Sequence, residues 1–152
     1  MRYLTILLLL MLSQTVFANK CVDLMQKEDF YEASDVCSAM AKKGDRNAQF
    51  ALGVMYYQGN GMMSDLAKAQ KWIRKAAQQN HNQAQYNLGI MLASGHGSSA
   101  NLVEAYAWLK IASDNGYPAA ADSVKQLGGE LSSSEKKEAN EQLKSIKKEF
   151  KL

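Results

Sequence analysis

Few groups with chemistry of their own occur in this chain. Its 152 residues include two histidines and two cysteines. The cysteines, Cys21 and Cys37, lack the Cys-x-x-Cys spacing of a redox centre and neither neighbours a histidine. His81 and His96 stand alone, without a carboxylate at ligand spacing, so a zinc site is not expected and no cofactor is implied. Charge of one sign is missing as well. Eighteen basic residues face fifteen acidic ones, a formal net charge of +3, which gives no reason to expect nucleic acid or an anionic membrane as partner. Beyond the N-terminus no segment approaches the roughly 20 apolar residues that cross a bilayer.

The N-terminus carries the one long apolar run. Arg2 precedes the stretch Leu4 to Leu12, and Val16-Phe17-Ala18 places tolerated residues where a signal peptidase reads. Residues 1–18 are therefore expected to be a signal peptide cleaved after Ala18, and the mature protein to be periplasmic or secreted, with no stable membrane insertion. Lys20, directly before Cys21, does not suit lipoprotein processing. Residues 19–152 suffice for one domain with a continuous core.

In an exported chain an even cysteine count suggests a disulfide. Asp29 with Glu32 reads as a capping box that starts a helix at Phe30, and Lys42-Lys43-Gly44 ends it. A short helix over Cys21 to Gln26 would precede it. Folded as a hairpin about Asp29, Cys21 and Cys37 lie eight residues to either side of the turn and face each other. Closing that loop contributes about 3 kcal/mol in the chain-entropy model.

The centre of the chain repeats itself. Ala48, Gln49, Leu52, Gly53, Gly59, Gly61, Ala69, Trp72 and Ala76 recur 36 positions later as Ala84, Gln85, Leu88, Gly89, Gly95, Gly97, Ala105, Trp108 and Ala112. A fixed period of this size marks a stacked array. Within each unit, apolar residues at three- and four-residue spacings predict two helices, divided at Gly59-Asn60-Gly61 in the first copy. Asp65 is a good N-cap for the second helix, and Asn101 can serve in the next copy. Gly53 and Gly89, in mid-helix, suggest close helix approach, with Ala69, Ala76, Ala105 and Ala112 as partner surface. Trp72 and Trp108 are expected in the core between hairpins. Downstream, Lys125 takes the register position of Gly53 and Gly89, so close packing should end there. Gly128-Gly129 reads as a chain break, Ser132 with Glu135 as a capping box, and Ala139, Leu143, Ile146 and Phe150 as the buried stripe of a charged capping helix.

The string from Gly44 to Gly61, followed by Asp65, Lys68-Ala69, Trp72 and Lys75-Ala76-Ala77, resembles a Sel1-like repeat, a relative of the tetratricopeptide α-solenoids. Ala84 to Gly89, Gly95-His96-Gly97, Ala105, Trp108 and Ala112 resemble a second copy. The resemblance implies an all-α fold, a short right-handed α-solenoid of about four antiparallel hairpins and eight helices. Its parts would be an N-terminal disulfide hairpin (19–43), two regular repeats (44–79 and 80–115), and a partial repeat with a capping helix (116–152).

A second apolar stripe runs along the first helix of each unit: Phe50, Val54 and Tyr57, then Tyr86 and Ile90. By alignment with tetratricopeptide proteins at Leu52-Gly53 and Leu88-Gly89, these positions, with Asn47, Gln58, Gln83 and Ser94, resemble inner-face positions that bind a peptide or partner protein. The same stripe would be ordinary core if the N-terminal hairpin or tail helix covered it. The resemblance thus implies a non-catalytic adaptor whose partner is another protein or peptide, with neutralisation of a toxic effector, as in an immunity protein, among its possible roles. A rival reading is a small β-lactam- or cell-wall-active enzyme. Ser133, Ser134 and Ser145 each precede a lysine at Ser-x-x-Lys spacing, Lys136, Lys137 and Lys148, but the companion Ser-Asp-Asn and Lys-Thr-Gly elements are absent.

Overall fold

The computed structural model describes residues 20–152, which fold into eight helices with no strand among them. The expected signal peptide, 1–18, lies outside the described residues. The helices are α1 (20–26), α2 (Phe30–Lys42), α3 (Arg46–Gln58), α4 (Leu66–Gln78), α5 (Asn82–Ser94), α6 (Leu102–Asp114), α7 (Ala120–Glu130) and α8 (Ser133–Phe150). Short connections force consecutive helices to fold back on one another, α3 against α4 and α5 against α6, and the hairpins stack into a short α-solenoid.

Local chemistry sets the boundaries. The carboxylate of Asp45 accepts the Ala48 N–H at 2.7 Å, Asp65 that of Lys68 at 2.9 Å, and Asn101 that of Glu104 at 3.0 Å. Each supplies an acceptor to a backbone donor that the helix itself leaves unpaired. Gly59 and Gly95 close α3 and α5 in the left-handed conformation, at φ 77° and 70°. The box expected at Asp29 is only half formed. Asp29 accepts the Glu32 N–H at 3.4 Å, but Glu32 turns away to pair with Lys20 at 2.6 Å, and the Asp29 N–H donates to Leu24 O instead. At α8 the expected box of Ser132 and Glu135 is complete.

The mid-helix glycines do what their recurrence implies. A Cβ on Gly53 would sit 2.5 Å from the Ile73 side chain and 3.2 Å from Ala69 O; on Gly89 it would sit 2.6 Å from Leu109 and 3.2 Å from Ala105 O. Ile73 and Leu109 therefore fill the glycine notches, with the Ala69 and Ala105 carbonyls beside them.

A polar network repeats with the same period. Gln49 donates to Ala41 O and accepts from Gln79; Gln85 donates to Ala77 O and accepts from Asn115. Both glutamines are buried, so each ties the last turn of the preceding helix to the C-cap of the following one without stranding a polar group.

The two ends are closed differently. Cys21 and Cys37, both fully buried, form the expected disulfide with Cα atoms 5.0 Å apart, joining α1 to α2 beside Leu24 and Met40. At the other end α7 and α8 both lie against α6. Ala139 and Ile146 are buried there, Leu143 and Phe150 pack beside them, and Lys147 reaches Asp114 at 2.7 Å. Gly128-Gly129 does not break the chain as expected. α7 runs to Glu130 through both glycines, neither of which adopts a left-handed φ, and the bare Cα of Gly128 lets the Tyr106 ring come within 3.2 Å of where a Cβ would stand. The break falls instead at Leu131, whose extended backbone leads into Ser132.

Candidate functional site

The odd-numbered helices form one face, and depressions lie between successive members. Between α1, α3 and the start of α5 is a depression of about 670 Å³ bordered by Val22, Met25, Asn47, Phe50, Val54 and Gln83. Between α3 and α5 a smaller one, about 280 Å³, is lined by Val54, Tyr57, Gln58, Tyr86, Ile90 and His96, with Ile73 and Met91 at its floor. Val54 belongs to both, so they adjoin. All eight inner-face residues expected from the sequence, Asn47, Phe50, Val54, Tyr57, Gln58, Gln83, Tyr86 and Ile90, line one or both of these depressions. Ser94 lies further along the same face, in a depression of about 230 Å³ between α5 and α7.

Among the described residues, neither α1 nor α8 seals this face. α8 sits on α6, and α1 borders the larger depression without filling it. Tyr57 and Ile90 remain 41% and 37% exposed, more than core packing would leave them.

Three aromatic contacts order this surface. The Phe50 ring stacks on His81 with centroids 4.6 Å apart, and 36 residues on, Tyr86 meets Tyr117 at 4.9 Å. Tyr57 and His96 approach at 5.8 Å, and the tyrosine hydroxyl lies 3.2 Å from the imidazole Nδ1. Each helix-borne ring thus rests on a residue from a later turn of the chain, which limits the orientations open to it. His81, His96 and Tyr117 were not legible as inner-face residues from stripe spacing, because they sit in turns. The signal that finds two of them is the period itself: His81 and Tyr117 occupy equivalent positions, each opposite the helix residue 31 places before it.

His81 has a second duty. Its Nδ1 accepts the Ala84 N–H at 3.2 Å and caps α5. Burial, followed by the nearby Arg46 guanidinium, holds its pKa below the usual histidine value, against the opposing pull of its own backbone bond and of Asp45. The neutral ring that results is the form able to accept that bond.

The other sequence candidates lie elsewhere. Trp108 is buried and donates to Glu104 at 3.2 Å, whose carboxylate also pairs with Arg74. Trp72 is only half-buried, with the Lys75 ammonium 4.5 Å above its ring. Ser133, Ser134 and Ser145 are exposed on α8, and none lines a depression described above. Among the described residues no three histidine, cysteine or carboxylate side chains are grouped to hold a metal, and no helix is long and apolar enough to cross a membrane.

Similarity to known proteins follows the same units. The Sel1 repeat model matches residues 46–81 and 82–117. A putative sel1-like repeat-containing protein of Acanthamoeba polyphaga mimivirus is 51% identical over 41 residues, which is 27% of this chain and 7% of that protein. Among solved structures, a protective antigen present in uropathogenic Escherichia coli strains, displaying an SLR fold, superposes with a TM-score of 0.84 at 28% identity over 90% of this chain and 30% of its own. A Sel1 repeat protein from Oxalobacter formigenes gives a TM-score of 0.59 at 24% identity over 70% of this chain and 59% of its own, a likeness of fold alone. The chain therefore spans less than a third of the mimivirus protein and of the antigen.

Proposed function

Because the chain belongs to the Sel1-like repeat family, whose members are in general protein-interaction scaffolds and typically non-catalytic, we propose that it is an exported adaptor holding another protein or peptide on the face of its odd-numbered helices. One observation carries the reading. The residues that alignment with binding repeats picks out line two adjoining depressions, and Tyr57 and Ile90 there stay exposed. Ordered rings provide contact area and the amides beside them can satisfy a partner's backbone.

Export to the periplasm or the medium is supported by the charged, apolar and small-residue pattern of residues 1–18 and by the buried disulfide, a bond that persists in oxidising compartments. Mass spectrometry of the mature chain should find Asn19 at its N-terminus and a mass two hydrogens below the reduced form. An uncleaved chain or free thiols would contradict export.

The binding face is tested by capture from the native envelope with the tagged chain, comparing wild type with Tyr57→Ala, Ile90→Lys. The expected result is loss of the captured protein with unchanged helical circular dichroism and melting. Undiminished capture by the double variant would place the interface elsewhere.

A further inference from the structure

The amides at the repeat junctions and those on the inner face differ in how they are paired. Those that hold repeats together are paired: Gln49, Gln70, Gln79, Asn80, Gln85 and Asn115 each bond to another protein group. On the inner face only Gln58 is paired, accepting from Asn60 at 2.8 Å. The carboxamides of Asn47, Gln83 and Asn87 bond to nothing among the described residues, and each borders one of the two adjoining depressions. A carboxamide offers a carbonyl acceptor and two N–H donors, the complement of a peptide unit.

Charge is scarce on this face. The larger depression has Asp23 at its α1 edge and Arg46 at the adjoining rim, its guanidinium engaged by Gln79 O and Asn80 O, and among the described residues the smaller one has no carboxylate, lysine or arginine in its lining. A ligand group bearing charge would lose water there without gaining a counter-ion, which is costly. Val54, Ile73, Ile90 and Met91 make the walls and floor of the smaller depression aliphatic, and sugar hydroxyls would find few partners against them. Its volume, about 280 Å³, sits just below the roughly 300–1,000 Å³ of pockets for drug-sized molecules. It suits one large side chain.

Resting on the reading of this face as a protein-binding surface, we propose a class of ligand for it: an uncharged, extended polypeptide segment. One large apolar side chain of the segment seats between Tyr57 and Tyr86, and its backbone pairs with Asn47, Gln83 and Asn87.

The test is selection of short random peptides displayed on phage against the disulfide-bonded mature chain, followed by anisotropy titration of the winners. Selected sequences should be poorer in charged residues than the starting library and share one large apolar residue. Its replacement by alanine should weaken binding about tenfold, the equivalent of ~1.4 kcal/mol. Ile90→Lys should weaken binding at least as much, and Asn47→Ala with Gln83→Ala by a few-fold, all with unchanged circular dichroism. Winners that carry a shared charge yet are lost with Ile90→Lys would overturn the ligand class and leave the face standing. Winners indifferent to both Ile90→Lys and Tyr57→Ala would overturn the face as well. An empty selection would overturn the ligand class, as would binding of neutral cell-wall oligosaccharides, or self-association by sedimentation, that Ile90→Lys abolishes.

Discussion

In the first repeat, 46–81, Gly53 receives Ile73 and Gln49 ties Ala41 to Gln79; in the second, 82–117, Gly89 receives Leu109 and Gln85 ties Ala77 to Asn115. These contacts stack one helix on the next and are the same in both copies. What differs is the surroundings. Trp72 stays half-open beneath Lys75, while Trp108 is enclosed at the Arg74–Glu104 pair. Asp45 caps α3, whereas His81 caps α5. At the same register position Arg46 donates to Gln79 O and Asn80 O, and Asn82 donates to Asn115 O. Stacking demands one geometry, so the copies agree where they stack; capping and turn-binding need only a polar group that reaches, so they diverge there.

The tryptophans should separate the copies most sharply. Trp108→Ala removes a fully enclosed ring and should cost about 3–5 kcal/mol in urea unfolding, against about 1–2 kcal/mol for the half-exposed Trp72. Equal costs would mean that the two copies bury their tryptophans alike. Next in size, Cys21→Ser with Cys37→Ser should cost about 3 kcal/mol, and exchange protection should fall first in α1 and α2. Uniform loss through α5 and α6 would instead make the solenoid a single cooperative unit.

The glycine notches should bring the copies back together. Gly53→Ala and Gly89→Ala each force a methyl against a branched side chain and a backbone carbonyl. Overpacking of about 1–3 kcal/mol, less about 1 kcal/mol of regained helix propensity, leaves a modest net loss of similar size at both sites. A stabilised Gly53→Ala would show that Ile73 yields where Leu109 does not.

The smallest effect concerns the caps. The folded-state pKa of His81 lies below its unfolded value, so its stability is fully present above about pH 6.5 and is lost as pH falls through the depressed folded value. His81→Asn, an uncharged cap, should remove part of the loss of stability seen as pH falls below about 6.5. Identical pH profiles for the two proteins would rule out that cap as the titrating feature.

Much of this molecule was legible in advance because a repeat states each constraint twice. Gly53 with Gly89 and Ala69 with Ala105 point to close helix contact by recurrence. The inner-face stripe was legible too, though whether it was site or core was not. That depended on where α1 and α8 came to rest, which neither helix's own pattern contains. Gly128-Gly129 misled for a related reason. A glycine pair favours a break when judged by backbone freedom alone, but here both stay helical and an aromatic ring from α6 packs closely on Gly128.

Periodicity and capping chemistry determined the helices, their order and the hairpin disulfide, since these depend on residues within a few turns of one another. The tertiary structure decided which amides are spent on holding repeats together and which are left facing outward. It also brought His81, His96 and Tyr117 beside the rings of the inner face. Those outcomes depend on stacking one unit against the next, and a turn residue acquires its neighbours only when the adjoining hairpin is in place.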